Sequence, residues 1–167
     1  MARLLIVLFT LVTIASRLIA QEIPQELRGE WFVSRIIPTR TISCWGQEEA
    51  NRLIGTVIEY KSDSFRWKNI VTTHPRVTTS IMNADQFEHE YSGGGAADSR
   101  VTFRELDIRA PQATVIELGH PEANITGATI EIPGDWALIK TGNTIILAVC
   151  NVYFEAHRKH VPSPREK

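Results

Sequence analysis

The sequence predicts a mainly β domain: an antiparallel up-and-down β-barrel or meander of about eight strands, with one or two short helices. The first observation is that many short runs alternate apolar and polar residues, which is typical of strands with one buried face. The second is that turns rich in Gly, Pro and Asp separate these runs. The third is that helical spacing is confined to two short stretches, 46–55 and 83–91.

The amino-terminal residues 1–20 have the layout of a signal peptide: the basic residue Arg3, an apolar run from Leu4 to Ile14, and the small residue Ala20 at the cut. The run is shorter than the about 20 residues that span a bilayer. We therefore expect a secreted or periplasmic protein with no membrane span after cleavage, which follows Ala20 or Ala15. An uncleaved amino-terminal anchor is the alternative, because a basic residue lies close to the cut.

Cleavage leaves one domain, predicted to span residues 21–160, and a flexible tail at 161–167. Without Arg3 and Arg17 the chain carries 16 basic and 19 acidic residues, a mild net charge of −3. Lys and Arg do not cluster with aromatic residues, so the composition predicts no nucleic-acid partner. We expect a monomer.

The two cysteines, Cys44 and Cys150, predict one disulfide bond, because secreted chains use small even numbers of cysteines in this way. Two free buried thiols are the alternative, which a cytosolic address would favour.

The first strand is expected in LRGEWFVSRII, where Leu27, Gly29, Trp31 and Val33 share one face. The remaining strands are expected at 56–60, 64–69, 113–118, 128–132, 136–140, 144–149 and 152–157. The pair Gly142–Asn143 supplies positive φ at low cost and therefore predicts a two-residue hairpin.

Two short helices interrupt the predicted strands. The stretch 46–55 has acidic residues in its first turn and Gly55 where a helix would end. The stretch 83–91 offers Asn83 or Asp85 as a cap. Both are short, so we expect them to depend on packing against the sheet.

A Trp on the first strand can plug the closed end of a barrel, whose interior at about eight strands is just wide enough for side chains or one small ligand. Gly29, two residues before Trp31, leaves room for a neighbouring group to approach. The Gly29-Glu30-Trp31 stretch, soon after a signal peptide, resembles the Gly-x-Trp signature of the lipocalins and wider calycins. The helix and meander that follow are similar to small secreted bacterial lipocalin-like proteins. This resemblance implies that a basic residue near the last strand, here Arg158, packs across Trp31.

No catalytic signature is present: the chain lacks a Gly-x-Ser-x-Gly elbow, and the glycines at 93–95 lack the Lys of a phosphate loop. His157 and His160 have the i, i+3 spacing of metal ligands, but they fall on a strand end and a tail. His89 lies between two carboxylates that a helix would point in different directions. We therefore expect no enzyme activity, no cofactor and no metal.

The predicted function is a secreted, non-catalytic binding protein for a small apolar ligand in a β-barrel pocket. Aromatic residues on the strands predict the pocket lining: Trp67, Phe65, Tyr60 and Trp136. Ordinary core packing of these residues is the alternative. The corresponding alternative function is an extracellular interaction or inhibitor protein with a fully packed core and functional loops. Asn124 begins an N-glycosylation sequon, which matters only in a eukaryotic secretory pathway.

Overall fold

A computed structural model of the chain describes residues 22–91, 101–120 and 131–159. It confirms a mainly β architecture, with nine antiparallel strands in one curled half-barrel sheet and two short helices. The elements in chain order are β1 (Gly29–Ile37), α1 (Gln47–Asn51), β2 (Val57–Tyr60), β3 (Ser64–Trp67), β4 (Ile70–Thr73), β5 (Arg76–Asn83), α2 (Ala84–Glu90), β6 (Gln112–Gly119), β7 (Trp136–Thr141), β8 (Thr144–Val149) and β9 (Val152–Arg158).

Several expectations fall on residues outside the described ranges. They are the signal peptide at 1–20, the glycines at 93–95, the sequon at Asn124, His160 and the tail at 161–167. None of the helices in the described ranges has the length and apolar character that crossing a membrane requires.

The sheet order is β4-β3-β2-β1-β9-β8-β7-β6-β5, so each strand pairs with its neighbour in the chain and the first strand pairs with the last. The exception is β4 and β5, which form the two sheet edges although only His74 and Pro75 separate them. His74 has a φ of 48°, and Pro75 has no N–H to donate to a ladder. These two residues turn the chain out of the sheet, so β4 and β5 do not pair and the described sheet stays open between them. The expected closed barrel of about eight strands is therefore not confirmed.

The strands β4 and β5 were not expected from the sequence, because most of their side chains are exposed and no apolar alternation marks them. Conversely, one expected strand, at 128–132, is not found in the residues of it that the structure describes. Residues 131–132 have no strand geometry, and residues 128–130 lie outside the described ranges.

A bulge in β1 changes which side chains face the interior. The register between β1 and β9 shifts between Val33 and Arg35, and the extra residue Ser34 donates its hydroxyl to the Glu155 carbonyl at 2.9 Å. Before the bulge, Trp31 and Val33 face inward; after it, Ile36 packs against the inner cluster. The simple two-residue alternation of this strand therefore holds only up to Ser34.

The hairpin between β7 and β8 has the predicted two-residue loop, since Thr141 pairs with Thr144. Neither Gly142 nor Asn143 has a positive φ, so that part of the expectation is wrong. A register shift between Ile139 and Thr141 accompanies this turn. Bulges of this kind increase the right-handed strand twist, which a turn without positive φ does not supply.

Both faces of the central strands are buried, in two separate apolar clusters. The cluster on one face, here called the inner cluster, contains Trp31, Tyr60, Phe65 and Phe154. The outer cluster contains Phe87 of α2 and the side chains of 101–108, which cover the opposite face. In β8, Ile145 and Leu147 join the inner cluster and Ile146 joins the outer one. A strand buried on both faces reads as a continuous apolar run, which explains the TIILAV sequence.

Trp31 is fully buried, and its indole N–H donates to the Leu27 carbonyl at 2.6 Å. The Arg158 guanidinium lies over its ring, with Cζ 4.3 Å from the centroid. Arg158 also donates to the carbonyls of Arg28 at 2.5 Å and Glu26 at 2.8 Å. Gly29 has a φ of +123°, and a Cβ there would lie 2.8 Å from Arg158 Nη1. Gly29 is therefore the residue that lets the guanidinium reach the indole.

The predicted disulfide between Cys44 and Cys150 is confirmed, with a Cα–Cα distance of 5.3 Å. Cys150 and Asn151 form the two-residue turn between β8 and β9, with φ angles of 54° and 59°. Turns of this type normally use Gly or Asn at both positions. Backbone and hydroxyl donors from the loop after β1 hold the turn, because Cys44 N and Ser43 Oγ both donate to the Cys150 carbonyl at 3.3 Å and 2.8 Å.

Replacing the buried indole should be the most damaging change on β1. We expect Trp31→Ala to lower the free energy of unfolding by about 3–5 kcal/mol in urea melts, because it leaves a cavity. Arg158→Ala should cost about 1–2 kcal/mol, and the double variant less than the sum, because both remove one shared contact. Phe32→Ala is the control: Phe32 is 43% exposed on the opposite face and should cost less than about 1 kcal/mol. Equal losses for Phe32→Ala and Trp31→Ala would contradict the face assignment.

Removing the disulfide should destabilise the fold strongly, since the bridge closes a sequence separation of 106 residues. We expect Cys44→Ser to cost about 4–5 kcal/mol in urea melts on the chain-entropy model. Ser43→Ala, which removes one hydrogen bond to the same turn and keeps the bridge, should cost about 1 kcal/mol. Alkylation of the unreduced wild-type protein should add no mass; two added labels would show that the bridge is absent in solution.

Candidate functional site

A cleft of about 380 Å³ lies on the outer side of the sheet, where β5 begins, β6 ends and β7 begins. Arg76 and Thr78 of β5 form one side, and residues 117–120 at the end of β6 form the base. The turn before β7 and the β8–β9 turn close the far side. The cleft therefore collects side chains from segments that are far apart in the chain.

Aromatic rings form one wall of the cleft. Trp136, the first residue of β7, meets Tyr91 edge to face with ring centroids 5.5 Å apart, and meets Tyr153 in the same way at 6.1 Å. Phe87 of α2 lies behind Trp136 at 6.4 Å. The capping box that Asn83 and Gln86 form at the start of α2 fixes the helix that carries this support. The wall is thus a packed apolar surface with tyrosine hydroxyls at its edge.

Asp135 is positioned by a compact turn. Its backbone N–H donates to the Ile132 carbonyl at 2.9 Å, and the Ile132 N–H donates back to its carboxylate at 2.8 Å. Gly134, with a φ of +100°, lets this turn press onto the core, since a Cβ there would lie 2.9 Å from the Tyr60 hydroxyl. The carboxylate of Asp135 then lies between the packed core and the cleft.

His120 is the partner of Asp135 in the cleft. The His120 side chain is 1% exposed, and its Nε2 lies 3.5 Å from Asp135 Oδ2. The pKa of Asp135 is raised from 3.8 to about 6, first by burial and then by the charge of Glu131, against the opposing effects of the Ile132 N–H and His120. The aspartate is therefore held in a position that disfavours its ionised form.

Two further carboxylates line the cleft. Glu131 accepts the backbone N–H of Cys150, so it connects the cleft to the disulfide-linked turn. Glu117 accepts the Tyr91 hydroxyl at 2.8 Å. Burial raises the pKa of Tyr153 to about 12, with the charge of Glu131 as the next cause. Glu131 thus acts electrostatically on both Asp135 and Tyr153.

The structure separates the four residues expected to line a single pocket. Tyr60 and Phe65 are almost fully buried in the inner cluster with ring centroids 6.0 Å apart, and the Tyr60 hydroxyl donates to the Gly134 carbonyl at 2.9 Å. Trp67 is half-buried against the same cluster, and its indole N–H donates to Thr56 Oγ1 at 3.2 Å. Trp136 lies on the opposite face, in the outer cluster and the cleft.

Sequence reasoning did not find the polar residues of the cleft. The Pro-Gly-Asp stretch before Trp136 signalled only a turn, and His120 belongs to no recognisable sequence motif. A turn aspartate that accepts an N–H three residues earlier is a local signal. Its meeting with His120 depends on the pairing of β6 with β7.

A second cleft of about 540 Å³ lies between α2 and the segment 102–111. Its rim carries exposed charged side chains, including Arg104 and Asp107. It lacks the aromatic wall and the buried polar pair of the first cleft, so the first is the candidate site.

The histidines expected at the surface do not assemble a metal centre in the described part of the chain. His157 is about half exposed and lies 3.3 Å from Glu155, also on β9. In the ranges that the structure describes, no group of three His, Cys, Asp or Glu side chains could hold a metal ion.

The buried aspartate should leave a signature in the pH dependence of stability. Because the pKa of Asp135 is higher in the folded state, at about 6, than its usual 3.8, the folded state binds more protons between these values. The free energy of unfolding contributed by this group therefore falls as pH rises from about 4 to about 7, by at most about 3 kcal/mol. We expect Asp135→Asn to remove this fall, measured as the difference from wild type in urea melts across that range. Glu48→Gln, a charge-neutralising change on exposed α1, is the control variant and should leave the fall attributed to Asp135 in place.

The chain matches no protein-family model, no curated protein and no solved structure. The candidate site is therefore argued from its own geometry.

Proposed function

We propose that the protein is a secreted, non-catalytic binding protein for a small molecule with an apolar body, which it holds in the cleft beside Trp136. The observation that carries this proposal is the cleft itself. Its volume of about 380 Å³ falls in the range of small-molecule sites, and its wall is aromatic with a few polar groups at fixed positions.

The packing of the inner face supports a site on the outer side of the sheet. Trp31, Tyr60 and Phe65 are at most 2% exposed, so their rings fill the inner cluster and hold the fold together. Of the four residues expected to line one pocket, Trp136 lines this cleft, whereas Trp67 is half-buried against the inner cluster. The aromatic residues are thus divided between a structural role inside and a binding role outside.

A binding role fits the protonation of the cleft hydroxyls. Burial raises the pKa of Tyr91 and of Tyr153, so both hydroxyls stay protonated near neutral pH and serve as hydrogen-bond donors rather than bases. Tyr91 already donates to Glu117. Fixed donors and acceptors around an apolar wall orient a ligand without transforming it.

Secretion is proposed from the signal-peptide layout of residues 1–20 together with the Cys44–Cys150 disulfide. Disulfides persist in oxidising compartments such as the periplasm and the extracellular space. A lipocalin-like relationship is proposed from the pairing of first and last strands and from the Gly29, Trp31 and Arg158 arrangement.

A second candidate function, an extracellular interaction or inhibitor protein, is favoured by exposed apolar residues. Ile42 in the loop after β1 is 75% exposed, and Ile81 on the edge strand β5 is 66% exposed. Exposed apolar side chains next to an unpaired strand edge suit contact with another chain.

A cleft-filling variant tests the leading proposal. We expect the neutral fluorophore N-phenyl-1-naphthylamine to bind the wild-type protein saturably, with a rise in its emission. Thr78→Trp should reduce this affinity at least about tenfold, because Thr78 lines the cleft and the larger side chain fills it. Thr79→Trp, at an exposed position on the opposite face of β5, should leave binding unchanged.

Two results would contradict a cleft-binding function. One is an absence of saturable binding of this probe. The other is equal binding by both Trp variants, which would place the probe elsewhere. Native mass spectrometry of protein from its own host, with Thr78→Trp beside it, should show a small carried ligand in the wild type alone.

A further inference from the structure

The cleft carries more negative than positive charge. Three carboxylates line it, from Glu117, Glu131 and Asp135, against the single guanidinium of Arg76. Arg76 is exposed at the start of the edge strand β5, so water screens much of its charge. Among Lys, Arg, Asp and Glu, two negative charges remain in excess when all three carboxylates are ionised.

Half-buried carboxylates elsewhere in the sheet face basic side chains. Glu155, with its side chain 11% exposed, lies 2.9 Å from Arg35 and 3.0 Å from Lys140. Glu59, 22% exposed, lies 2.7 Å from Arg66. Such pairing offsets the loss of hydration that burial imposes on a charge.

Asp135 differs from these carboxylates. Its side chain is 16% exposed, and within the described ranges no Lys or Arg nitrogen lies within 4.0 Å of it. Its neighbours are the His120 imidazole and a second carboxylate, Glu131, whose charge acts on it. A positive group placed in the cleft would stabilise the ionised form of Asp135 and weaken its repulsion with Glu131.

The aromatic wall favours the same kind of group. The faces of Trp and Tyr rings attract ammonium groups, by roughly 0.5–2 kcal/mol depending on exposure. Trp136 and Tyr153 both line the cleft, and their rings stand almost perpendicular to each other, at 86°. The apolar part of a ligand and its charged end can both find a partner on this wall.

We propose that the ligand of the cleft is an organic cation: a small amine or quaternary ammonium compound with an aromatic or aliphatic body. Its ammonium group lies among Glu117, Glu131 and Asp135, and its body packs against Trp136. This inference rests on the proposed function, because it names the chemical class of the molecule that the cleft binds.

The test compares three probes of nearly equal size that differ in charge: phenethylamine, 3-phenylpropionate and 3-phenylpropanamide. Calorimetric titration at about pH 7.5 keeps Asp135 above its pKa of about 6. We expect phenethylamine to bind at least about tenfold more tightly than 3-phenylpropionate, with the amide between them. Raising NaCl from about 50 mM to about 500 mM should weaken the binding of phenethylamine and reduce its advantage in affinity over 3-phenylpropionate.

Charge-neutralising variants locate the effect. The triple variant Glu117→Gln, Glu131→Gln and Asp135→Asn keeps acceptor oxygens at each position, and it should reduce amine affinity at least about tenfold. The control triple variant Glu22→Gln, Glu48→Gln and Glu59→Gln removes the same charge outside the cleft, and it should leave the preference for the amine intact. The single change Glu117→Gln, at an exposed position, should reduce amine affinity by a smaller factor. This variant replaces the cleft triple variant in the test if the triple variant does not fold.

The outcomes separate the two proposals. Amine preference that is lost only in the cleft variants supports the inference. Equal or tighter binding of the anion, or equal effects of the two triple variants, overturns it. Suppose that the amide binds, that Thr78→Trp abolishes its binding, and that the amine binds no more tightly than the amide or the anion. The cation inference then fails, and the cleft-binding function stands. If no probe binds, including N-phenyl-1-naphthylamine, both fail.

Discussion

The pairing of the first strand with the last is the contact on which the rest of the structure depends. It joins residues about 120 positions apart, and side-chain contacts hold it at both ends. At one end the Arg158 guanidinium covers Trp31 and binds carbonyls of the segment before β1. At the other end Cys44 is bonded to Cys150 in the turn that starts β9. Pairing strands so far apart in the chain carries a large loop-closure entropy. The contacts at the two ends of this strand pair help to offset that entropy.

The same strand pair also places the cleft. The turn at Cys150 and Asn151 has positive φ at both residues, and the disulfide and four hydrogen bonds with the loop after β1 hold it in place. The Cys150 N–H then binds Glu131, and Asn151 lines the cleft directly. The conformation of this wall is thus coupled to the covalent bond that secures β1 against β9. A binding surface built on a turn and a strand end is usually held by such rigid support.

The sequence was informative where one residue determines its own surroundings. Trp31 and Gly29 predict a crowded strand face, Asn83 predicts a helix start, and two cysteines after a stretch with the layout of a signal peptide predict a bond. It was uninformative at β4 and β5, because edge strands with exposed side chains lack alternation. The cleft could not be predicted for another reason. Its polar groups come from the end of β6 and from the segment after residue 130, and only the ladder between β6 and β7 brings them together.

The cleft also shows how a buried carboxylate can lower the stability of the fold that carries it. Holding Asp135 with a pKa near 6 means that its ionised form, which predominates at neutral pH, is less stable folded than in water. A core selected for stability alone would replace such a carboxylate or give it a Lys or Arg partner, as Glu155 has with Arg35 and Lys140. A bound cation would supply that partner. Linkage makes this effect reciprocal. The free energy by which the ionised aspartate strengthens cation binding equals the free energy by which the bound cation stabilises the ionised aspartate in the folded protein. Binding and folding would therefore be coupled through one side chain, because the cation that we propose would offset the destabilisation of the ionised aspartate.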